Sequence, residues 1–347
     1  MDGDLPRLCK LFVESRRMGT PLVLATIVRS EASTYRKAGA RIVICPSGIA
    51  SGILSGGCLE ADLRERAAEV LEHDRPARIL FDTRESDDPV WGFGLGCQGA
   101  IDVWLERATA ENGYAPLPYL LQCWEQEHSG MIATVIGGQA LPTELGRHGY
   151  AGISEGNALS AQLACISAAR AGIHNIEFGG RLLEVFVCPV ELAPSVLICG
   201  AGPDAIPVAK FADSLGWRVT VFDHRPAYAS PGNFPGAARV MLGRPEELSD
   251  RLDLSKIDAA VIMSHHLPSD VEYLRHLARN PPGYIGALGP ASRRERLFAE
   301  AGSAVSDTVR ARLYGPIGLN IGATSPESIA LSIVAQIQAV LSGLGPH

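Results

Sequence analysis

Two cysteines stand in settings where a thiol could do chemistry. Cys58 lies in Ser55-Gly56-Gly57-Cys58-Leu59-Glu60, just before apolar residues Leu59, Leu63, Ala67, Val70 and Leu71 that keep helical spacing. That spacing predicts a helix from Cys58 to His73 and places the thiol at its N-terminus, where unpaired amides and the helix dipole stabilise a thiolate. Gly56 and Gly57 let a ligand approach the backbone, while the carboxylate of Glu60 opposes the thiolate. Cys97 sits among Gly92, Gly94, Gly96 and Gly99, a loop that offers amides but no positive charge. A thiolate in either loop is a soft donor, suited to ligating a soft metal or passing sulfur.

A third glycine cluster points to phosphate. Val196 to Cys199 reads as a buried strand running into Gly200-Ala201-Gly202-Pro203-Asp204-Ala205 and then a helix, the G-x-G-x-x-A pattern. Gly200 permits the tight turn, Gly202 lets a phosphate near the backbone, and Ala205 keeps helix and strand close. Asp223 closes the following strand 21 residues after Gly202, where a carboxylate would hold a ribose hydroxyl. Pro203 removes one amide donor, and the same turn also serves as a purely structural one. His265 and His266 follow Ser264 at a strand end, where two neighbouring histidines are read as solvated or hydrogen-bonded rather than as ligands.

The elements that must position these loops fall into two regions. Leu5 to Met18 reads as a helix bracketed by Asp4, Pro6 and Gly19. Strands are expected at 22–28, 41–45, 78–81, 100–105, 131–136 and 182–188, and further helices at 118–127 and 154–171. Pro189 to Pro194 reads as an extended linker, giving domains at 1–190 and 195–347. Beyond it, strands at 196–199, 218–222, 238–242, 257–263 and 283–287 alternate with helices at 204–215, 246–252, 268–279 and 290–300. A last helix starts at Ser325-Pro326-Glu327 and runs to about Leu341. Strand–helix alternation implies a Rossmann-like, doubly wound parallel sheet; the first region reads as α+β, so the chain is of the α/β class overall.

Composition narrows the function. The chain has 347 residues, 31 Lys and Arg against 38 Asp and Glu, and a formal net charge of −7, which argues against a nucleic-acid partner. The eight cysteines are spread along the chain without a C-x-x-C pair, unlike a zinc cluster or disulfide framework. Cys45, Cys165, Cys188 and Cys199 sit in apolar segments and are expected to be buried and inert. No apolar run approaches the roughly 18 residues of a membrane span, and no secretory signal is visible. A cytoplasmic protein with no membrane partner is expected.

The motifs resemble a known family. Ser55 to Glu60 is similar to the S-G-G-C-[VL]-E signature of the XdhC/CoxI group, and Gly94-Leu95-Gly96-Cys97-Gln98-Gly99 to its G-L-G-C-G-G-type signature, with Gln98 in place of a glycine. Residues 33–41 resemble its S-x-P-R…G-A-R loop, with Tyr35 where proline is usual. Tyr284 to Gly289, Gly318 to Gly322 and Ser325-Pro326-Glu327 also match in order, with Asn320 where aspartate is common. Pro203 stands where many members carry histidine. The resemblance implies a chaperone that binds molybdenum cofactor (molybdopterin), supports its sulfuration with a cysteine desulfurase, works as a homodimer, and delivers the cofactor to an apo molybdenum hydroxylase such as xanthine dehydrogenase. It implies Cys58 and Cys97 as molybdenum or sulfur contacts, and Gly56, Gly57, Gly96 and Gly99 as amide donors to the pterin or its phosphate. The rival readings are an NAD(P)-dependent oxidoreductase resting on Gly200, Gly202 and Asp223, and an interaction module that binds neither ligand.

Overall fold

Asp4, Pro6 and Gly19 bracket the first helix as expected, but Asp4 does not cap it with its side chain. Its carboxylate instead accepts from Arg36 at 2.6 Å, tying the helix start to a loop some thirty residues on. The structure is a computed structural model that describes residues 4–54, 59–82, 84, 99–153, 158–163 and 170–345. The chain divides into two units, Met1–Leu192 and Ala193–His347. Among the described residues no helix is long and apolar enough to cross a membrane.

In the first unit the order is α1 (Leu5–Met18), β1 (Leu22–Ala32), β2 (Arg41–Cys45), β3 (Gly48–Ser51), α2 (Glu60–His73), β4 (Ala77–Asp82), β5 (Gly99–Ala108), α3 (Leu117–Gln126), β6 (Gly130–Gly138), β7 (His148–Ala151), α4 (Ala158–Leu163), β8 (Gly172–Phe178) and β9 (Arg181–Val190). These strands form two antiparallel sheets, ordered β3-β2-β1-β5-β4 and β7-β6-β9-β8. Residues 22–28 of β1 are buried on both faces, which their largely apolar run anticipates. Val23, Ala25 and Ile27 pack on Leu63, Ala67 and Val70 of α2, while Leu22 and Leu24 join Phe12 and Leu120 of the other helices. Val28 belongs to a third cluster with Trp104, Ile136, Phe186 and Cys188, which holds the two sheets together. A bulge at Val28 sets two residues of β1 against one of β5 and re-aims the strand before the 33–40 loop.

Three expectations are corrected here. Helix α2 begins at Glu60 rather than Cys58, and the Glu60 carboxylate itself accepts from the Leu59 amide at 3.2 Å. Of the helix expected at 154–171, Ala158–Leu163 is helical and residues 154–157 and 164–169 lie outside the described residues, but Arg170 and Ala171 are not helical and Gly172 opens a strand whose alternating burial is that of a half-exposed sheet. The segment read as a linker from Pro189 begins inside β9, where Pro189 lies opposite Met131 and past the last described β8 pair, Gly172 with Val187.

The second unit continues with β10 (Ser195–Cys199), α5 (Ala205–Ser214), β11 (Arg218–Asp223), β12 (Arg239–Leu242), α6 (Leu248–Arg251), β13 (Ala259–Ile262), α7 (Leu267–Arg279), β14 (Tyr284–Ala287), α8 (Ala291–Ala301), α9 (Asp307–Arg312), β15 (Leu313–Tyr314) and α10 (Pro326–Leu341). Its six strands are all parallel and ordered β12-β11-β10-β13-β14-β15. Residues of α6 to α9 cover one face and residues of α5 and α10 the other, so this is the expected doubly wound Rossmann-type sheet. The order reverses between β10 and β13, which places the ligand crevice of such a sheet beyond their C-terminal ends.

Candidate functional site

The first unit contains a cavity of about 900 Å³, within the size range of small-molecule sites. The 33–40 loop between β1 and β2 forms one wall. It is pinned by the Gly39 amide donating to the Ile27 carbonyl at 2.8 Å and the Ile27 amide donating to Ala40 at 2.9 Å. Gly39 has φ +97°, and a Cβ there would meet Ala171 Cβ and Cys188 Sγ at 3.2 Å, so the loop seats closely against the opposite wall.

Among the described residues five cations line this cavity: Arg29, Arg36, Lys37, Arg41 and Arg170. Two carboxylates, Glu184 and Glu191, share the lining. Arg29 pairs with Glu31 at 2.5 Å and Arg36 with Asp4 at 2.6 Å. Glu184 is held by Arg78 at 2.6 Å, which also grips the buried Asp102 at 2.7 Å. Lys37 donates from Nζ to the Ala32 carbonyl at 3.1 Å and the Thr34 hydroxyl at 3.3 Å, both neutral acceptors. Deeper in, His148 bridges Glu106 (3.1 Å) and Thr134 (3.1 Å), and Asp102 Oδ1 and Trp104 Nε1 have no hydrogen-bond partner among the described residues.

Cys58 and Cys97, with Gly56, Gly57 and Gly96, lie outside the described residues. The described ends of their loops are well anchored. Leu54 and Leu59 are both buried in the cluster under α2. Gly99 opens β5 opposite Ala32, and a Cβ on it would meet Ser33 O at 2.6 Å, Glu31 O at 2.7 Å and Thr34 Cγ2 at 2.8 Å. The strand that follows the Cys97 loop therefore begins packed against the start of the 33–40 loop. Of the other cysteines, Cys9, Cys123, Cys188 and Cys199 are buried and Cys45 is half-buried, with no disulfide among the described residues, while Cys165 lies outside them. Burial pushes the Cys123 and Cys199 thiols up, which makes them poor nucleophiles.

In the second unit, the phosphate-type turn adopts its expected backbone. Gly200 has φ +117°, and a Cβ there would stand 2.6 Å from the Met263 carbonyl, so only glycine fits between β10 and β13. Asp223 is 1% exposed at the end of β11. Its carboxylate accepts from the Ala201 amide at 2.6 Å, the Arg225 amide at 2.9 Å, and Arg225 Nε and Nη2 at 3.0 and 2.6 Å. Burial alone would raise its pKa, but the Arg225 guanidinium and these amides together hold it below the usual carboxylate range. The group expected to take a ribose hydroxyl is thus engaged within the protein. Asp204 reaches back over the turn: a Cβ on Gly202 would meet its Oδ1 at 2.6 Å, and its Oδ2 lies 2.8 Å from His265 Nε2. His265 has φ +61°, an unusual conformation for a residue with a side chain. Behind it, Ser264 donates to Asp270 Oδ1 at 2.5 Å and Arg293 to Asp270 Oδ2 at 2.6 Å. Asp223 and the turn are brought together as expected, with a carboxylate standing where a phosphate would approach Gly202.

Sequence reasoning missed the cavity cations and the Arg225 and Asp204 contacts. Arg225 was signalled by its place two residues after Asp223. The cavity joins residues 28–41 to residues 170–191, a separation no local pattern reports.

Known proteins match both units. The XdhC Rossmann domain family matches residues 196–337, and the XdhC and CoxI family matches residues 15–82. A probable xanthine dehydrogenase subunit from Bacillus subtilis (strain 168) is 35% identical over 91% of this chain and 92% of its own length. A molybdenum cofactor insertion chaperone, PaoD, of Escherichia coli (strain K12) is 24% identical over 98% of this chain and 90% of its own. A crystal structure described as a xanthine dehydrogenase from Bacillus halodurans superposes with a TM-score of 0.77 at 29% identity, covering 97% of this chain and 96% of that one.

Proposed function

Because the chain belongs to the XdhC and CoxI family, we propose that it is an accessory protein that binds molybdenum cofactor and delivers it to a xanthine dehydrogenase-type molybdenum hydroxylase. The observation that carries this reading is the end-to-end likeness to a named insertion chaperone, which spans both units rather than one shared fold. The two glycine–cysteine loops supply the matching chemistry. Cys58 and Cys97 are soft donors for molybdenum or for a sulfur atom in transit, and Gly56, Gly57, Gly96 and Gly99 are amide donors to an anionic pterin. Sulfuration with a cysteine desulfurase, a homodimeric state and a cytoplasmic location belong to the same reading.

The test is anaerobic purification from a molybdenum-replete host, followed by fluorescence of the oxidised pterin. The wild-type chain is expected to carry pterin and the Cys58→Ala/Cys97→Ala variant to lose most of it. Equal pterin in both would remove the cysteines from the site. A protein without pterin under any loading condition would remove the function.

The oxidoreductase reading ranks second on a positive observation: NAD(P) would need the Asp223 carboxylate, which Arg225 and the Ala201 amide already hold. Tight binding of a nicotinamide dinucleotide with turnover of any substrate would reverse that order.

A further inference from the structure

We propose that the cavity beside the 33–40 loop is an anion site that takes a phosphomonoester group, with Lys37 and Arg170 as its principal cations. The proposal rests on the function above only for the molecule that carries the phosphate, the terminal phosphate of the pterin. Four observations lead to it.

The first is charge balance. Among the described residues five cations face two carboxylates in one cavity of a chain whose formal net charge is −7. A concave surface with an excess of one sign of charge focuses its field and raises the local concentration of oppositely charged ligands. The second is which of these charges are engaged. Arg29 and Arg36 are paired with Glu31 and Asp4, and Glu184 is held by Arg78. Among the described residues Lys37 and Arg170 form no ion pair, and both are exposed.

The third is orientation. The Lys37 ammonium has three donors and gives two to Ala32 O and Thr34 Oγ1, which leaves one for a ligand while the side chain is held in place. The Arg170 guanidinium presents a planar fork suited to two phosphate oxygens at once. The fourth is location. The same loop that carries Lys37 takes the close approach of Gly99, which stands two positions after Cys97. A bound phosphate would therefore lie in the unit that carries both cysteines.

The test uses the full chain and inorganic phosphate as the probe, measured by isothermal titration at two salt concentrations. The wild-type chain is expected to bind phosphate with an affinity that falls as salt rises. Lys37→Gln/Arg170→Gln is expected to weaken it about tenfold or more, and Lys37→Arg to retain it. Lys210→Gln, on α5 of the other unit, serves as the control for removing a surface cation elsewhere and is expected to leave binding unchanged. Both side chains are exposed, and circular dichroism checks that the fold is kept. No phosphate binding by the wild-type chain, or equal binding by the double variant, overturns the site.

Pterin fluorescence separates the two readings. If the double variant loses phosphate while even the wild-type chain carries no pterin, the anion site stands and the cofactor function fails. If both chains carry equal pterin, the function stands and the placement of its phosphate here is overturned.

Discussion

The cavity of the N-terminal unit and the crevice of the C-terminal unit differ in what their charges do. In the crevice the charged groups satisfy one another: Arg225 holds Asp223, His265 pairs with Asp204, and Arg293 pairs with Asp270. In the cavity, among the described residues, cations outnumber carboxylates and Lys37 and Arg170 form no ion pair. The difference shows that a recognisable nucleotide-type turn can close on its own side chains. A cavity without a nucleotide-type turn can meanwhile present the unbalanced charge that an anionic ligand needs.

The largest expected effect tests whether the crevice turn is as tight as described. Gly200→Val places a Cβ against the Met263 backbone at a positive φ, and should cost about 3 kcal/mol or more of unfolding free energy. Chemical denaturation of the full chain measures it, and an unchanged midpoint would break the picture of close strand approach.

Next is the ion cluster that keeps the cavity positive. Arg78→Met leaves Asp102 buried without its cation and frees Glu184 to face the cavity. A destabilisation of roughly 2–3 kcal/mol is expected, together with weaker phosphate binding. Stability loss without any change in phosphate affinity would detach Glu184 from the cavity's charge balance.

A third prediction concerns acid. Asp223 has a lowered folded pKa, so its contribution is present above the ordinary aspartate value of roughly 3.9 and is lost as pH falls through the lower folded value. Glu144 in the other unit, held down to about 2 chiefly by its hydrogen bonds to Arg181, follows the same sign. Unfolding midpoints measured between pH 6 and pH 3 should therefore fall in acid. Asp223→Asn should be less stable than wild type near pH 6 and flatten the slope below about pH 4. A variant with the wild-type slope would mean that the Arg225 pairing does not hold Asp223 charged.

The smallest effect is at Gly202. An added methyl meets only the end of the Asp204 side chain, which can swing aside, so Gly202→Ala should change stability by less than about 1 kcal/mol. A loss as large as that of Gly200→Val would place backbone, not a mobile carboxylate, over the turn.

Most of the second unit was legible because parallel strands covered on both faces read as apolar runs punctuated by helices. Strands 195–199, 218–223 and 284–287 fell within a residue or so of expectation. The short β15 and α9 carried too few residues to show a period. In the first unit β3, β7 and β8 were missed for a different reason. Strand β8, Gly-Ile-His-Asn-Ile-Glu-Phe, is half-exposed, and its signal was merged with the alanine-rich stretch before it. Of the sites, the cysteine and glycine motifs were readable as residue types at fixed spacing. The engagement of Asp223 was not, because it depends on which way Arg225 turns. The cavity was not, because its walls come from segments more than a hundred residues apart.

Gly99 and Gly113 will behave differently under saturation mutagenesis. At Gly99 any side chain collides with two carbonyl oxygens and a methyl group of the neighbouring loop, so a library at that codon should return glycine alone. At Gly113 no described residue lies within 4 Å of an added Cβ and the positive φ of +65° discriminates, so asparagine and aspartate should survive beside glycine. The intolerance at 99 would come from the seam between two loops, and a compensating second-site change should map to residues 31–34.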